Sequence, residues 1–166
     1  MAAVAAISAV AKTACRPLGA DDLEPVIAID REHSGHARRR FFEKRFAAAA
    51  ARPNDFIHVG VVLDGKLRGF AVARVLQGEF GHEEAIAVID AIGVDAETRE
   101  RGIGQSMMRG LGDIMRRRGV RVLQSQADWT NHALVRFFGA AGFKLAPRLT
   151  LQRPVAALLD EPGEEL

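Results

Sequence analysis

The sequence has no tyrosine against nine phenylalanines, so no phenol can act as an acid or base anywhere in the chain. A single cysteine, Cys15, excludes an internal disulfide and any multi-cysteine zinc site. A free thiol with no disulfide framework fits a reducing cytoplasm. No stretch approaches the roughly 20 apolar residues of a membrane span, so a cytoplasmic protein with no membrane partner is expected. The first residues, Met1–Ala11, are alanine-rich but lack the positive n-region of a signal peptide. They read as part of a frayed tail (residues 1–13) or as a start placed too far upstream. Lysine is scarce too. The chain has 4 lysines against 19 arginines, so most cations are planar forks suited to phosphate or carboxylate.

What is present fits one globular domain. The 166 residues are 48% hydrophobic and 27% charged, enough to bury a sizeable core but not to form two large domains. The net charge is +2, and four acids (Asp160, Glu161, Glu164, Glu165) crowd the last seven residues. Residues 156–166 are expected to form an acidic, unstructured tail. Without those four acids, 23 cations face 17 acids and the body carries +6.

Residue patterning predicts the element order. Pro17 biases Arg16 toward extended backbone, ending a short strand. Asp21 and Asp22 then offer an N-cap for a helix carrying Leu23, Val26, Ile27 and Asp30. A second helix is predicted over Ala37–Ala51, with Phe41, Phe42, Phe46 and Ala49 on one face and Arg38, Arg39, Lys44 and Arg45 on the other. That basic face is either solvated or a site for an acidic partner. Phe56–Leu63 and Leu67–Leu76 are β-rich runs around Asp64-Gly65-Lys66, a hairpin signal. Gln77–His82 reads as a loop and Ala85–Val94 as a nearly continuous apolar strand interrupted by Asp90. A helix over Gly102–Arg118 would bury Ile103, Met107, Leu111, Ile114 and Met115, with Gly119 closing it. Val120–Ala127 reads as a strand. Asn131–Ala141 reads as a helix with Leu134, Phe137, Phe138 and Ala141 inward. Phe143–Leu145 and Arg148–Arg153 read as final strands around Pro147. The expected fold is a single α/β (or α+β) domain with a mixed sheet.

One segment carries chemistry. In Ile92-Gly93-Val94-Asp95-Ala96-Glu97-Thr98-Arg99-Glu100-Arg101-Gly102-Ile103-Gly104-Gln105, a strand and polar turn lead to two glycines at a helix start. The first N–H groups of a helix have no internal acceptor, and the dipole favours anions there. Gly102 and Gly104 lack a Cβ, so a pyrophosphate can approach the backbone, with Arg99 and Arg101 beside it. The segment is neither a Walker loop nor the three-glycine dinucleotide fingerprint. Simple helix capping would produce the same two glycines.

These residues resemble a known family. Arg99-Glu-Arg-Gly102-Ile-Gly104 is similar to the Arg/Gln-x-x-Gly-x-Gly/Ala signature of the GNAT acyltransferase superfamily, preceded by the Ile92-x-Val94 strand pattern. Asn131, Phe137-Phe138 and Gly142-Phe143 resemble its second motif, and Arg16-Pro17-Leu18 with Asp22-Leu23 its opening. The resemblance spans residues 14–155. It implies a mainly antiparallel sheet, flanked by helices, with a V-shaped splay between the strands at 85–94 and 120–127. Acetyl-CoA or another acyl-CoA would lie in the splay as co-substrate, with no metal. The pantetheine arm would pair near Ile92, Gly93 and Val94, and the pyrophosphate would sit on amides from Arg99 through Gln105. Asn131 and Phe138 would complete the cofactor end, although Asn131, Asp128 or Thr130 could be plain N-caps. The implied activity is acyl transfer to a primary amine of a small molecule or protein by direct attack. A CoA-binding module with weak or no catalysis, acting as a sensor or interaction domain, is the alternative. Homodimers through edge or final strands are common in the family.

Catalytic candidates are fewer. Many relatives use a tyrosine at the place of Phe138 to protonate the departing thiolate, and phenylalanine cannot. Asp90, two residues before Ile92 and so expected on the same face, is the candidate general base or else the structural partner of an arginine. Glu84 and Glu79 are weaker candidates, and Gln126 can orient but not deprotonate. His33 and His36 flank Gly35 in what the resemblance makes the acceptor region, where surface roles compete with catalytic ones. Ser125, His132 and Cys15 have no sequence argument as replacement acids. Trp129 reads as a loop-packing residue. Nucleic acid is disfavoured as a partner, since the basic helix lacks interleaved aromatics.

Overall fold

The computed structural model describes residues 13–78, 83–99 and 101–154. Their central element is a five-stranded sheet in the order β1-β2-β3-β4-β5, formed by Thr13–Pro17, Phe56–Leu63, Lys66–Gln77, Ala85–Val94 and Val122–Ser125. The first four strands pair antiparallel, and β5 joins β4 in parallel. Helices α1 (Leu23–Ser34) and α2 (Arg39–Ala51) precede β2, α3 (Ile103–Arg117) crosses from β4 to β5, and α4 (His132–Ala140) follows. This is the mixed sheet that patterning predicts, with the mainly antiparallel, helix-flanked form that the family resemblance implies.

The Asp-Gly signal between β2 and β3 works through backbone sign. Asp64 at φ 51° and Gly65 at φ 78° are both left-handed, as the tight turn matching strand twist requires. Alternation along the strands then feeds two cores. On one face Ile103, Met107, Leu111 and Met115 of α3, with Phe138 of α4, pack over Ile57, Val59, Val61, Ala73, Ala87 and Ile89. On the other, Val26, Ile27 and Ile29 of α1 and Phe42 of α2 pack over Phe70, Val72 and Ala91. Phe42 and Phe70 meet edge to face at 5.6 Å between centroids.

A register slip in β4 positions the site. Ala91 pairs with Val72 and Ile89 with Ala73, leaving Asp90 as an extra residue, a β-bulge. Alternation therefore inverts at Asp90. Ala87 and Ile89 belong to the α3 core, Ala91 to the α1–α2 core, and Ile92 and Val94 return to the α3 side. The parallel pairing with β5 stops at Ile89↔Ser125, where the bulge begins. From there to Val94 that edge of β4 has no strand partner among the described residues, which is the splay expected between these two segments.

Several expectations are corrected. The strand predicted over Val120–Ala127 is confined to Val122–Ser125, because the bulge bends β4 away from it. Phe143–Leu145 and Arg148–Arg153 form no strands. Pro147 offers no N–H for a ladder, and Leu145, Leu149 and Leu151 stand almost fully exposed. The predicted basic face of α2 is largely neutralised: Arg38 pairs with Asp30, Arg39 with Glu24 and Glu43, and Arg45 with Asp90. Trp129 is not packed but 82% exposed, and Ala141 is exposed as well. Thr13, placed in the N-terminal tail by the sequence, begins β1 instead; the rest of both tails, Glu79 and Glu100 lie outside the described residues. Among the described residues, no helix is long and apolar enough to cross a membrane.

Candidate active site

A cavity of about 1100 Å³ opens where the free edge of β4 meets the start of α3 and one side of α4. Its β4 wall is Ile92, Gly93 and Val94, and its α4 wall is Asn131, Ala133, Leu134, Phe137, Ala140 and Ala141. Between them Arg99, Gly102, Ile103, Gly104 and Gln105 form the floor, and Gln105, Arg109, Gly112 and Arg116 continue along α3. These last four recur at helical spacing on one face, a period that the sequence carries but that the core stripe overshadowed.

The backbone is prepared for an anion. Gly102 adopts φ 74° at the N-cap position, and no side chain caps α3 among the described residues. Its carbonyl accepts from Ser106 N–H at 2.9 Å, leaving the first-turn N–H groups directed out of the helix end. At Gly104 an added Cβ would stand 2.6 Å from Cε2 of Phe137, so glycine is what lets the α4 wall come this close to the floor. Arg99, Arg109 and Arg116 line the same space, Arg116 while pairing with Asp113.

The strand edge is prepared for an extended partner. Asp95 N–H donates to the Arg68 carbonyl at 2.8 Å, so by alternation Val94, one residue earlier, turns its own groups away from β3. His33 of α1 meets them. Its Nε2 lies 2.7 Å from the Val94 oxygen and 3.3 Å from the Val94 nitrogen, while Nδ1 lies 3.3 Å from Nη2 of Arg99. The consistent arrangement has Nε2–H donating to the Val94 carbonyl and Arg99 donating to Nδ1. Glu32 also lines the cavity, its Oε2 accepting from Ala96 N–H at 3.3 Å.

The sequence-nominated residues divide. Ile92, Gly93, Val94, Arg99, Gly102, Ile103, Gly104, Gln105 and Asn131 line one cavity, and Asn131 Oδ1 also caps α4 by accepting from Leu134 N–H at 3.2 Å. Arg101 is exposed beside the cavity without lining it. Phe138 is corrected: it is buried in the α3 core against Phe143, centroids 4.7 Å apart, and Phe137 is the ring that faces the cavity.

Asp90 is corrected in position. Alternation from Ile89 puts it on the α2 side and the bulge moves Ile92 to the other, so its carboxylate, 8% exposed, takes Arg74 Nε at 2.9 and 2.8 Å and pairs with Arg45 at 2.9 Å. It does not share the face of Ile92. Nearby, His58 on β2 escaped the sequence reading. Burial, followed by the positive charge of Arg45, pushes its pKa down to about 4 against an opposing contribution from Asp90. Glu84, Gln126 and His132 are exposed and outside the cavity; Ser125 ends β5, His36 stands exposed beyond α1, and Cys15 lies across α3 on β1. Among the described residues no group of His, Cys, Asp and Glu could hold a metal ion.

Comparison with known proteins follows the same lines. The model of the Acetyltransferase (GNAT) family matches residues 23–143. The [ribosomal protein bS18]-alanine N-acetyltransferase of Escherichia coli K12 is 26% identical over 104 residues, 63% of this chain and 64% of that protein. The matched region thus spans less than two thirds of that relative. Among solved structures, the aminoglycoside N-acetyltransferase AAC(6')-Iy in complex with CoA superposes with a TM-score of 0.72 at 17% identity, covering 87% of this chain and 95% of that one. Glucosamine-6-phosphate N-acetyltransferase from Arabidopsis thaliana superposes with a TM-score of 0.67 at 15% identity, covering 86% and 98%.

Proposed function

The chain belongs to the GNAT acetyltransferase family, and we propose from that premise that it transfers an acetyl group from acetyl-CoA to a primary amine. The observation that carries the proposal is the single cavity joining an uncapped, glycine-lined helix start to a free strand edge. The residues present fit the cofactor. A Cβ at Gly104 would fill the cradle, Gly102 supplies the left-handed turn, and three arginines face the cavity. In this assignment the amides from Ile103 through Gln105, with Arg99, Arg109 and Arg116, hold the phosphates. The outward groups of Ile92 and the Val94 amide align the pantetheine arm, the Val94 carbonyl being held by His33, and Asn131 and Phe137 bound its far side.

The bound thioester supplies an activated acyl group; the chain supplies position and proton handling. A primary amine is mostly protonated at neutral pH, so a proton acceptor near the cavity helps. Asp90 is held by two arginines on the other side of β4, and we assign it to structure. Glu32 is the carboxylate that lines the cavity among the described residues, and we assign it the acceptor role. No phenol is present, and a thiolate of pKa about 8.5 can leave without one.

The acceptor is proposed at the level of an amine. Relatives whose names specify an alanine of a ribosomal protein or an aminoglycoside define the panel to try. Calorimetry with acetyl-CoA, followed by detection of released CoA thiol over aminoglycosides and alanine-starting peptides, tests the reading. Gly104→Glu is expected to weaken CoA binding at least about a hundredfold, by placing bulk and negative charge against the phosphates. Unchanged affinity in that variant would remove the site assignment, and binding without turnover on any amine would remove the enzyme assignment.

A further inference from the structure

A second cavity, of about 700 Å³, lies on the opposite flank of α3, between that helix and β1. Its floor is made of small residues. Ser106 and Gly110 face β1, and a methyl at Gly110 would collide with Sγ of Cys15. Its walls are arginines whose charge is not spent. Arg109 and Arg117 pair with no carboxylate among the described residues. Arg118 donates to the Pro53 and Phe56 carbonyls at 3.1 and 2.7 Å, which fixes the fork and leaves its charge uncompensated. Arg16, also in the lining, is satisfied by Asp22. Among the described residues the only carboxylate in the lining, Asp113, is taken by Arg116. By contrast, seven arginines between residues 13 and 78 hold carboxylates: Arg16, Arg38, Arg39, Arg45, Arg52, Arg68 and Arg74.

We infer that this cleft is a second anion site, taking a chain of phosphates. Three uncompensated guanidinium groups around one opening match several phosphoryl oxygens better than a single carboxylate. The volume lies within the range of small-ligand sites. The Cys15 thiol adds no negative charge, since burial and the neighbouring Asp113 hold it above its ordinary pKa. Arg109 lines both this cleft and the cavity beside β4, so an occupant here shares one cation with the proposed acyl-CoA site. The inference stands apart from the acyl-CoA reading, because its lining is otherwise separate.

Cys15 is the only cysteine in the chain and lines the cleft, so its alkylation reports occupancy at this place alone. Iodoacetamide labelling followed by intact mass is measured with and without tripolyphosphate, in protein saturated with CoA and in protein without it. Tripolyphosphate is expected to slow labelling several-fold in both. Arg117→Gln should weaken this protection about tenfold, whereas Arg121→Gln, on the same basic stretch but outside the cleft, should leave it intact. Equal protection by ATP would mean that the phosphate chain alone is recognised, and stronger protection by ATP that a nucleoside adds to it. Labelling indifferent to tripolyphosphate overturns the site, as does equal loss in both arginine variants, which would indicate diffuse surface charge. Should CoA fail to bind, the CoA-free arm still decides the question.

Discussion

Asp90 is ion-paired with Arg45 and Arg74, and His58 feels the charge of Arg45 and Asp90; Asp90 and His58 each make a distinct prediction. Removing the charge of Asp90 leaves two partly buried guanidinium groups without their anion. Asp90→Asn is therefore expected to cost about 2–4 kcal/mol of stability, seen as a lower urea midpoint, with the pH dependence of turnover unchanged. A shifted pH–rate profile at wild-type stability would return Asp90 to the chemistry. His58 is kept neutral by burial and by Arg45, with its folded pKa near 4. Between about 6.5 and 4 the unfolded chain binds a proton that the folded chain refuses, so stability falls as pH drops through that window and then levels off. The loss is on the order of 2–3 kcal/mol, and His58→Gln should flatten it in urea titrations from pH 7.5 to 4. Asp22 and Asp95, whose pKa values are lowered with Arg16 and Arg68 as their hydrogen-bond partners, lose their contribution in a separate window below about 3.8.

At the scale of elements, β4 is the strand on which both cores and the site depend. Gly93 is read in the sequence as a cavity residue, and it does line the cavity. Its absent side chain, however, points the other way: a Cβ there would stand 2.8 Å from Cε1 of Phe70 and 3.1 Å from Cγ2 of Ile29. Gly93→Ala is expected to destabilise by about 1–3 kcal/mol through overpacking of the α1 core, lowering the thermal midpoint with little direct effect on ligand contacts. The helix–strand order and the loop from Arg99 to Gln105 were legible because they rest on local signals: period, Asp-Gly, paired glycines. The position of Asp90 was not legible. Alternation assigns it to the face of Ile92, and only the pairing of β3 with β4 creates the bulge that inverts the count. Phe137 and Phe138 differ for a similar reason, since both are apolar and the packing of α4 against α3 decides which ring is buried.

Across the whole molecule, residues 99–153 hold eleven cations and three acids, while the rest of the chain holds twelve and eighteen. The described arginines of the earlier part are mostly spent on carboxylates, and those along α3 mostly are not, which sets two arginine-lined cavities on either flank of one helix. That imbalance is plain in the sequence; which arginines are neutralised is not, because the partners lie far apart in the chain, as with Arg45 and Asp90.

The free edge of β4 has a further consequence. A strand end with outward-facing backbone groups is a template for pairing with another chain, and so for self-association. The His33 ring lies across the Val94 carbonyl and amide at that edge. Its Nε2–H thus takes the Val94 carbonyl, one of the groups through which a foreign strand would begin to add, and leaves the amide beside it without that acceptor.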